Sequence, residues 1–211
     1  MNNSNFVRLR GWLALLTGSA GILALITLIL FFAGVFLNIQ SFFPLGHLTD
    51  ILNGVVGIVS AGLASTLVQM LQKSQPRLSL ILLIGVWLGA IAIAYGSWLI
   101  LTNQVGVERA TYFNFFGNGL IGVWLWSLNR RARQQTIWPR GLTRMGSLAG
   151  IFMMAGLLSL YGILMGLDGN NFSPLVMISS LGYLGIGILY PLWCLRLGRL
   201  ILSQIKDSDG Q

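Results

Sequence analysis

The side chains best suited to chemistry fall in predicted loops on one side of the chain. Three isolated acids, Asp50, Glu108 and Asp168, each lie between two long apolar stretches. His47 lies three residues before Asp50, so the two can form an acid–base pair. No third group completes a catalytic set, and an acid directly before a helix commonly caps its free N–H groups. We therefore predict that Asp50 caps the second helix and that His47 is a loop residue.

Small polar side chains accompany the acids near the same ends of three predicted helices. Asn114 and Asn118 are four residues apart, which places them on one helical face. If three hairpins surround an axis, such groups line a shallow pocket open to the outside. The alternative is that they form hydrogen bonds between helices and that the acids favour helix dipoles. The pocket predicted from these positions is lined by Asn53, Asn118 and Ser180 and rimmed by Asp50, Glu108 and Asp168.

Motifs for catalysis or cofactor binding are missing from the sequence. It contains no His-Glu-x-x-His, Gly-x-Ser-x-Gly or Walker-type glycine loop. The single histidine excludes bis-histidine haem and a histidine-cluster zinc site, and the single cysteine, Cys194, excludes an intrachain disulfide. No ionisable residue falls deep in a predicted helix, which argues against ion-coupled pumps and voltage sensors. We expect a non-catalytic protein with no cofactor and no metal.

The apolar segments that position these residues are long enough to cross a bilayer. Hydrophobic residues make up 55% of the 211-residue chain and charged residues 9%, far from a soluble composition. A membrane span needs about 20 apolar residues. We predict an all-α integral membrane bundle in which six transmembrane helices occupy about 12–37, 51–71, 78–101, 112–128, 146–165 and 174–195. The first helix is too long for the apolar core of a signal peptide, so we expect it to stay.

The distribution of basic residues predicts how the bundle is oriented. Twelve of the 13 Lys and Arg residues fall on one side of these helices, and Arg109 alone falls on the other. The positive-inside rule then places both termini in the cytoplasm of a cell membrane, such as a bacterial inner membrane. The tail, 196–211, is predicted to extend the last helix along the interface. The net charge of +8 is spread over four cytoplasmic segments, which argues against nucleic acid as a partner.

Two kinds of position suggest that the chain is a threefold repeat. An arginine precedes each outward helix at a constant spacing of 67 residues, at Arg10, Arg77 and Arg144. Each returning helix carries a Gly-x-x-Gly signature, beginning at Gly54, Gly119 and Gly182. Chance matches are the alternative in a chain with 27 glycines. We predict one transmembrane domain, 1–211, built from three pseudo-repeated hairpins that share one orientation.

Two residues, Trp87 and Pro191, predict local features inside the helices. Trp87 lies in the middle of the third helix, where its indole N–H needs a partner on a neighbouring helix. Pro191 cannot donate a hydrogen bond to the carbonyl of Gly187 and should kink the last helix. The start of that helix is predicted at Ser173 and Pro174.

The composition of the helix surfaces leads to two functional hypotheses. Small-residue stripes promote helix contacts in lipid, as in Gly85, Gly89 and Gly96 on the third helix and Gly54 and Gly57 on the second. The first hypothesis is therefore an accessory membrane module that binds the bilayer and other membrane-protein subunits through glycine-rich faces. The alternative, suggested by the parallel repeats, is a small transporter or channel for a neutral or amphiphilic solute.

Overall fold

A computed structural model describes residues 3–69, 76–102, 104, 107–166 and 179–209, and every regular element in these ranges is helical. The first four α-helices are α1 (Asn3–Leu37), α2 (Pro44–Leu67), α3 (Pro76–Leu101) and α4 (Val107–Gln134). A short 3-10 segment, Gln40–Phe42, precedes α2. The chain then forms α5 (Arg140–Met154), a 3-10 segment (Ala155–Leu158), α6 (Ser159–Met165), a π-helical segment (Leu184–Leu189) and α7 (Tyr190–Asp209).

Five helices in the described ranges are long and apolar enough to cross a membrane. They occupy Asn5–Leu37, Gln40–Leu67, Pro76–Leu101, Arg140–Met165 and Leu184–Ile205. The remaining long helix, α4, has 28 residues but is much more polar, with Asn114, Asn118 and Asn129 along its length. The all-helical class is confirmed, whereas the sixth span stays a prediction.

The helices form a ring in chain order. Each of α1 to α4 packs against the helix that follows it, and α7 packs against both α5 and α1. At one end of the ring, Arg10 donates a hydrogen bond to Gln69 over 3.1 Å, and Arg196 contacts Met145. We call this the basic end. We call the opposite end, where the hydroxyl of Thr49 bonds Thr27 over 2.8 Å, the distal end.

Most helices extend beyond their predicted bounds. The difference that matters for the site is at α2, which begins at Pro44 rather than residue 51, because proline is favoured in the first helical turn. His47 and Asp50 are therefore helical, and the predictions of a loop histidine and a capping aspartate are wrong. Polar termini lengthen α4 at both ends, and the predicted tail continues α7 to Asp209. The predicted helix start at Ser173 lies outside the described residues.

The prediction for Trp87 is confirmed, whereas a kink at Pro191 stays a prediction. Trp87 Nε1 donates to the hydroxyl of Ser65 on α2 over 3.2 Å. The π-helical segment ends two residues before Pro191, which accords with the backbone donor that proline lacks. The proline ring lies against Gly21 of α1, where an added Cβ would be 2.6 Å from Pro191 Cγ. The irregularity therefore serves a close helix contact.

The glycines mostly bring the helices of this chain together. A Cβ on Gly89 would lie 2.6 Å from the carbonyl oxygen of Gly117 on α4. A Cβ on Gly96 would lie 2.6 Å from Asn114 Oδ1 on the same helix. Gly85, predicted to share the same stripe, has no neighbouring atom within 4 Å of an added Cβ, so that prediction is wrong for this position. Close approach of backbones is the expected way to join helices in lipid.

The three glycine signatures do not share one packing environment. Gly57 packs on Ile93, and Gly122 packs on Gly150, so the first two signatures face the hairpin that follows them. In the third signature, Gly185 packs on Ala149 of its own hairpin. The threefold repeat stays a prediction, and its third unit is arranged differently from the others.

Candidate functional site

A cavity of about 380 Å³ opens at the distal end of the ring. Its wall comes from α1, from the start of α2, from the end of α3, from the start of α4 and from the segment before Pro191. The polar or titratable side chains on the wall are those of His47, Thr49, Asp50, Asn53, Thr111, Asn114, Asn118 and Tyr183. The site therefore depends on elements spread over most of the chain.

The structure brings together three of the six residues of the predicted pocket. Asp50 and Asn53, three residues apart on α2, face Asn118 of α4 across the same cavity. Ser180 is exposed and does not line it. The backbone of Glu108 lies in the first turn of α4, and Asp168 lies outside the described residues. Whether this cavity is a binding site stays a prediction.

Several lining residues were not included in the sequence-based pocket. Asn114 had a visible signal, because it lies one turn before Asn118 on the same helix. His47 and Thr49 join the wall because Pro44 starts α2 early, and proline at a first helical position is itself a sequence signal. No sequence pattern indicated that Tyr183 lines the cavity, because the direction of its side chain depends on the irregular segment that follows it.

One wall of the cavity is aromatic and aliphatic. Phe31, Phe32 and Leu28 of α1 line it, together with Phe43 before α2. Gly46 lets the ring of Phe31 rest on α2, because a Cβ there would lie 3.1 Å from the ring. The hydrogen bond from the Thr49 hydroxyl to Thr27 joins α2 to α1 at this wall. This side of the cavity offers contact to an apolar group.

A second part of the lining presents amides and a carboxyl group. Asp50 is the one carboxyl group among the described residues of the lining, and His47 lies three residues before it on the same helix. Among the described side chains, Asn114 Oδ1 is buried and has no hydrogen-bond partner. A buried acceptor without a donor costs about 1–3 kcal/mol. That oxygen lies against Gly96 of α3, so the groups on this wall that can bond a ligand or a water molecule are those of Asp50, Asn53 and Asn118.

Tightly packed side chains close the cavity toward the basic end. Between the cavity and the basic end, Tyr190, Trp193 and Trp124 are fully buried. The Tyr190 hydroxyl donates to Ser60 over 2.8 Å, and the rings of Tyr190 and Trp193 stack with centroids 6.1 Å apart. Trp193 Nε1 also donates to Asn129 over 3.1 Å. These contacts fill the interior of the ring on the side of the cavity toward the basic end.

The chemistry available in the pocket is recognition by hydrogen bonds and apolar contact. Within the ranges that the structure describes, no group of three or more His, Cys, Asp or Glu side chains can hold a metal ion. Of the described residues on the pocket wall, His47 and Asp50 are the two of these types. The sequence matches no protein-family model, and neither the curated proteins nor the solved structures include one that matches it. The pocket geometry must therefore carry the functional argument.

Proposed function

We propose that the chain is a six-helix integral membrane protein whose basic end faces the cytoplasm. Five of its helices have the length and composition of membrane spans. The ring contacts support a sixth span, because α4 packs between α3 and α5 along its length. The concentration of arginine at the basic end supports the orientation, through the positive-inside rule.

Cysteine labelling tests this orientation. The buried Cys194 is first replaced by alanine, and Gln135→Cys and Ser41→Cys are then made separately at exposed positions. In intact cells a membrane-impermeant maleimide should label Ser41→Cys and should label Gln135→Cys only after the cells are opened. The reverse pattern would overturn the orientation.

We further propose that the distal cavity binds a small neutral or amphiphilic molecule that enters from the outer side. The observation that carries this proposal is a cavity whose lining combines aromatic and aliphatic side chains with the polar side chains of Asp50, Asn53 and Asn118. The volume of about 380 Å³ falls within the range of about 300–1,000 Å³ typical of small-molecule sites. A small transporter in an outward-facing state has these properties.

The accessory-subunit hypothesis stays a prediction with less support. Its proposed contact faces were the glycine stripes of α2 and α3. Gly57, Gly89 and Gly96 instead approach other helices of this chain. The same residues cannot also form an intermolecular interface without opening the ring.

Ligand-dependent stability in lipid nanodiscs tests the binding proposal, with 1-decanoylglycerol as the probe. The wild-type melting temperature should rise with the probe, whereas Asn118→Leu and Asn53→Leu should bind it about fivefold more weakly, since each loses one hydrogen bond. Ser127→Leu, on α4 but away from the cavity, should bind like the wild type. An absent shift in the wild type, or equal affinity in all variants, would refute the proposal.

A further inference from the structure

A second cavity, of about 310 Å³, lies at the basic end between α4 and α5. It is lined by Arg133, Thr136, Trp138, Arg140, Thr143 and Arg144. Arg133 comes from the last turn of α4, and Arg140 and Arg144 lie one turn apart at the start of α5. The short connection 135–139 thus brings three guanidinium groups to one cavity.

The connection that forms this cavity is fixed by packing and hydrogen bonds. Trp138 is only 8% exposed and meets the buried Trp193 edge-on, with ring centroids 6.0 Å apart. The backbone N–H of Ile137 donates to Ala132 over 3.0 Å, which ties the connection to the end of α4. Thr143 is fully buried, and its hydroxyl donates to the carbonyl of Arg140. The arginines therefore extend from a defined framework.

The electrostatics of the cavity favour an anion. All three arginines are exposed, and the one acidic side chain that the structure describes, Asp50, lies at the distal end. Three like charges around one cavity repel each other, and a bound anion offsets this repulsion. The first residue of α5 is Arg140, and no side chain caps this terminus, so the positive end of the helix dipole adds to the same field.

We propose that this cavity binds a phosphate group, and that the phosphate belongs to the headgroup of an anionic phospholipid. Guanidinium groups bind phosphate oxygens in pairs, and three of them line this cavity. The exposed apolar side chains Ile137 and Leu148 flank the cavity-lining residues and offer a surface to an acyl chain. Basic pockets at the cytoplasmic ends of membrane helices are a recognised form of lipid site. The proposal rests on the proposed membrane placement of the chain, and it does not depend on the distal cavity.

Native mass spectrometry of the full chain, released from nanodiscs, tests the site. The nanodiscs contain either phosphatidylcholine alone or an equal mixture with phosphatidylglycerol. The wild type should retain phosphatidylglycerol in preference to phosphatidylcholine. Arg140→Gln with Arg144→Gln should reduce that preference about tenfold, since each change removes a charge-assisted bond.

A charge-matched control separates a site from general attraction to an anionic bilayer. Arg130→Gln with Arg199→Gln removes the same charge at exposed positions of the same end but outside the cavity. It should keep the wild-type preference, and Arg140→Lys with Arg144→Lys should retain part of it. Equal loss in both glutamine double variants would overturn the proposal.

A second arm separates the two sources of phosphate. Inorganic phosphate at 10 mM (on the order of intracellular levels) is added to wild-type protein in phosphatidylcholine nanodiscs, and the melting temperature is measured. No shift, together with phosphatidylglycerol retention, supports the headgroup. A shift that is lost in the Arg140 and Arg144 glutamine variant, without phosphatidylglycerol retention, would refute the lipid source. A wild type that responds to neither would refute the phosphate site.

Discussion

Two glycines of α3 should respond in opposite ways to the same substitution. A Cβ at Gly89 would lie 2.6 Å from the carbonyl oxygen of Gly117, whereas a Cβ at Gly85 would meet nothing within 4 Å. Ordinary contact starts near 3.4 Å, so Gly89→Ala must move α3 and α4 apart by about 0.8 Å. A gap of that size removes about a quarter to a half of the dispersion energy of each contact beside it.

The magnitude follows from comparing the two variants. Alanine improves helix propensity by about 1 kcal/mol at either position, so this gain cancels in the difference. Overpacking at Gly89 should cost about 1–3 kcal/mol. We expect Gly89→Ala to be less stable than Gly85→Ala by that amount, and Gly85→Ala to be at least as stable as the wild type.

Reversible unfolding in mixed micelles provides the measurement. Dodecyl sulfate is titrated into protein in dodecyl maltoside, and the seven tryptophans report unfolding by fluorescence. The free energy of unfolding is compared for the wild type and the two variants. If the free energies of unfolding of Gly85→Ala and Gly89→Ala agree within about 0.5 kcal/mol, the close approach of α3 to α4 at Gly89 does not limit stability. That result would contradict our account of the ring.

Two buried hydrogen bonds give further predictions in the same assay. Tyr190→Phe removes the 2.8 Å bond to Ser60 and should lower the free energy of unfolding by about 0.6–1.7 kcal/mol, whereas Tyr161→Phe at an exposed site should be neutral. Asn129→Leu leaves the buried Trp193 N–H without its acceptor and should cost about 1–3 kcal/mol. A neutral Tyr190→Phe, or a neutral Asn129→Leu, would contradict the structural role of that bond.

The long apolar runs made the helical class predictable, whereas the helix ends were harder to place. Apolar length indicates what enters a bilayer but does not mark where a helix continues into polar sequence, as α4 does at Gln134. At α2 the information was present, because Pro44 is favoured in a first turn. A search for helix-start residues beyond the apolar run would have placed His47 correctly.

The candidate pocket was partly predictable for a similar reason. Asp50, Asn53 and Asn118 lie on regular helices, where spacing determines the face. Ser180 was misplaced because it precedes a π-helical segment, and a change in residues per turn rotates side chains away from the expected face. The arginine cavity could not be predicted from spacing, because it depends on a turn in which Thr136 adopts a positive φ of 51°.

The closure of the ring by α1 and α7 has a consequence for biosynthesis. Gly11 and Gly18 approach α7 at Gly198 and Leu195, nearly two hundred residues later in the sequence. The other extensive interfaces from α1 to α5 join consecutive helices, so each can form as soon as its second helix leaves the ribosome. The face of α1 that contacts α7 has no partner until α7 has been synthesised. A chain that stops before α7 would therefore leave the ring open between α1 and α5.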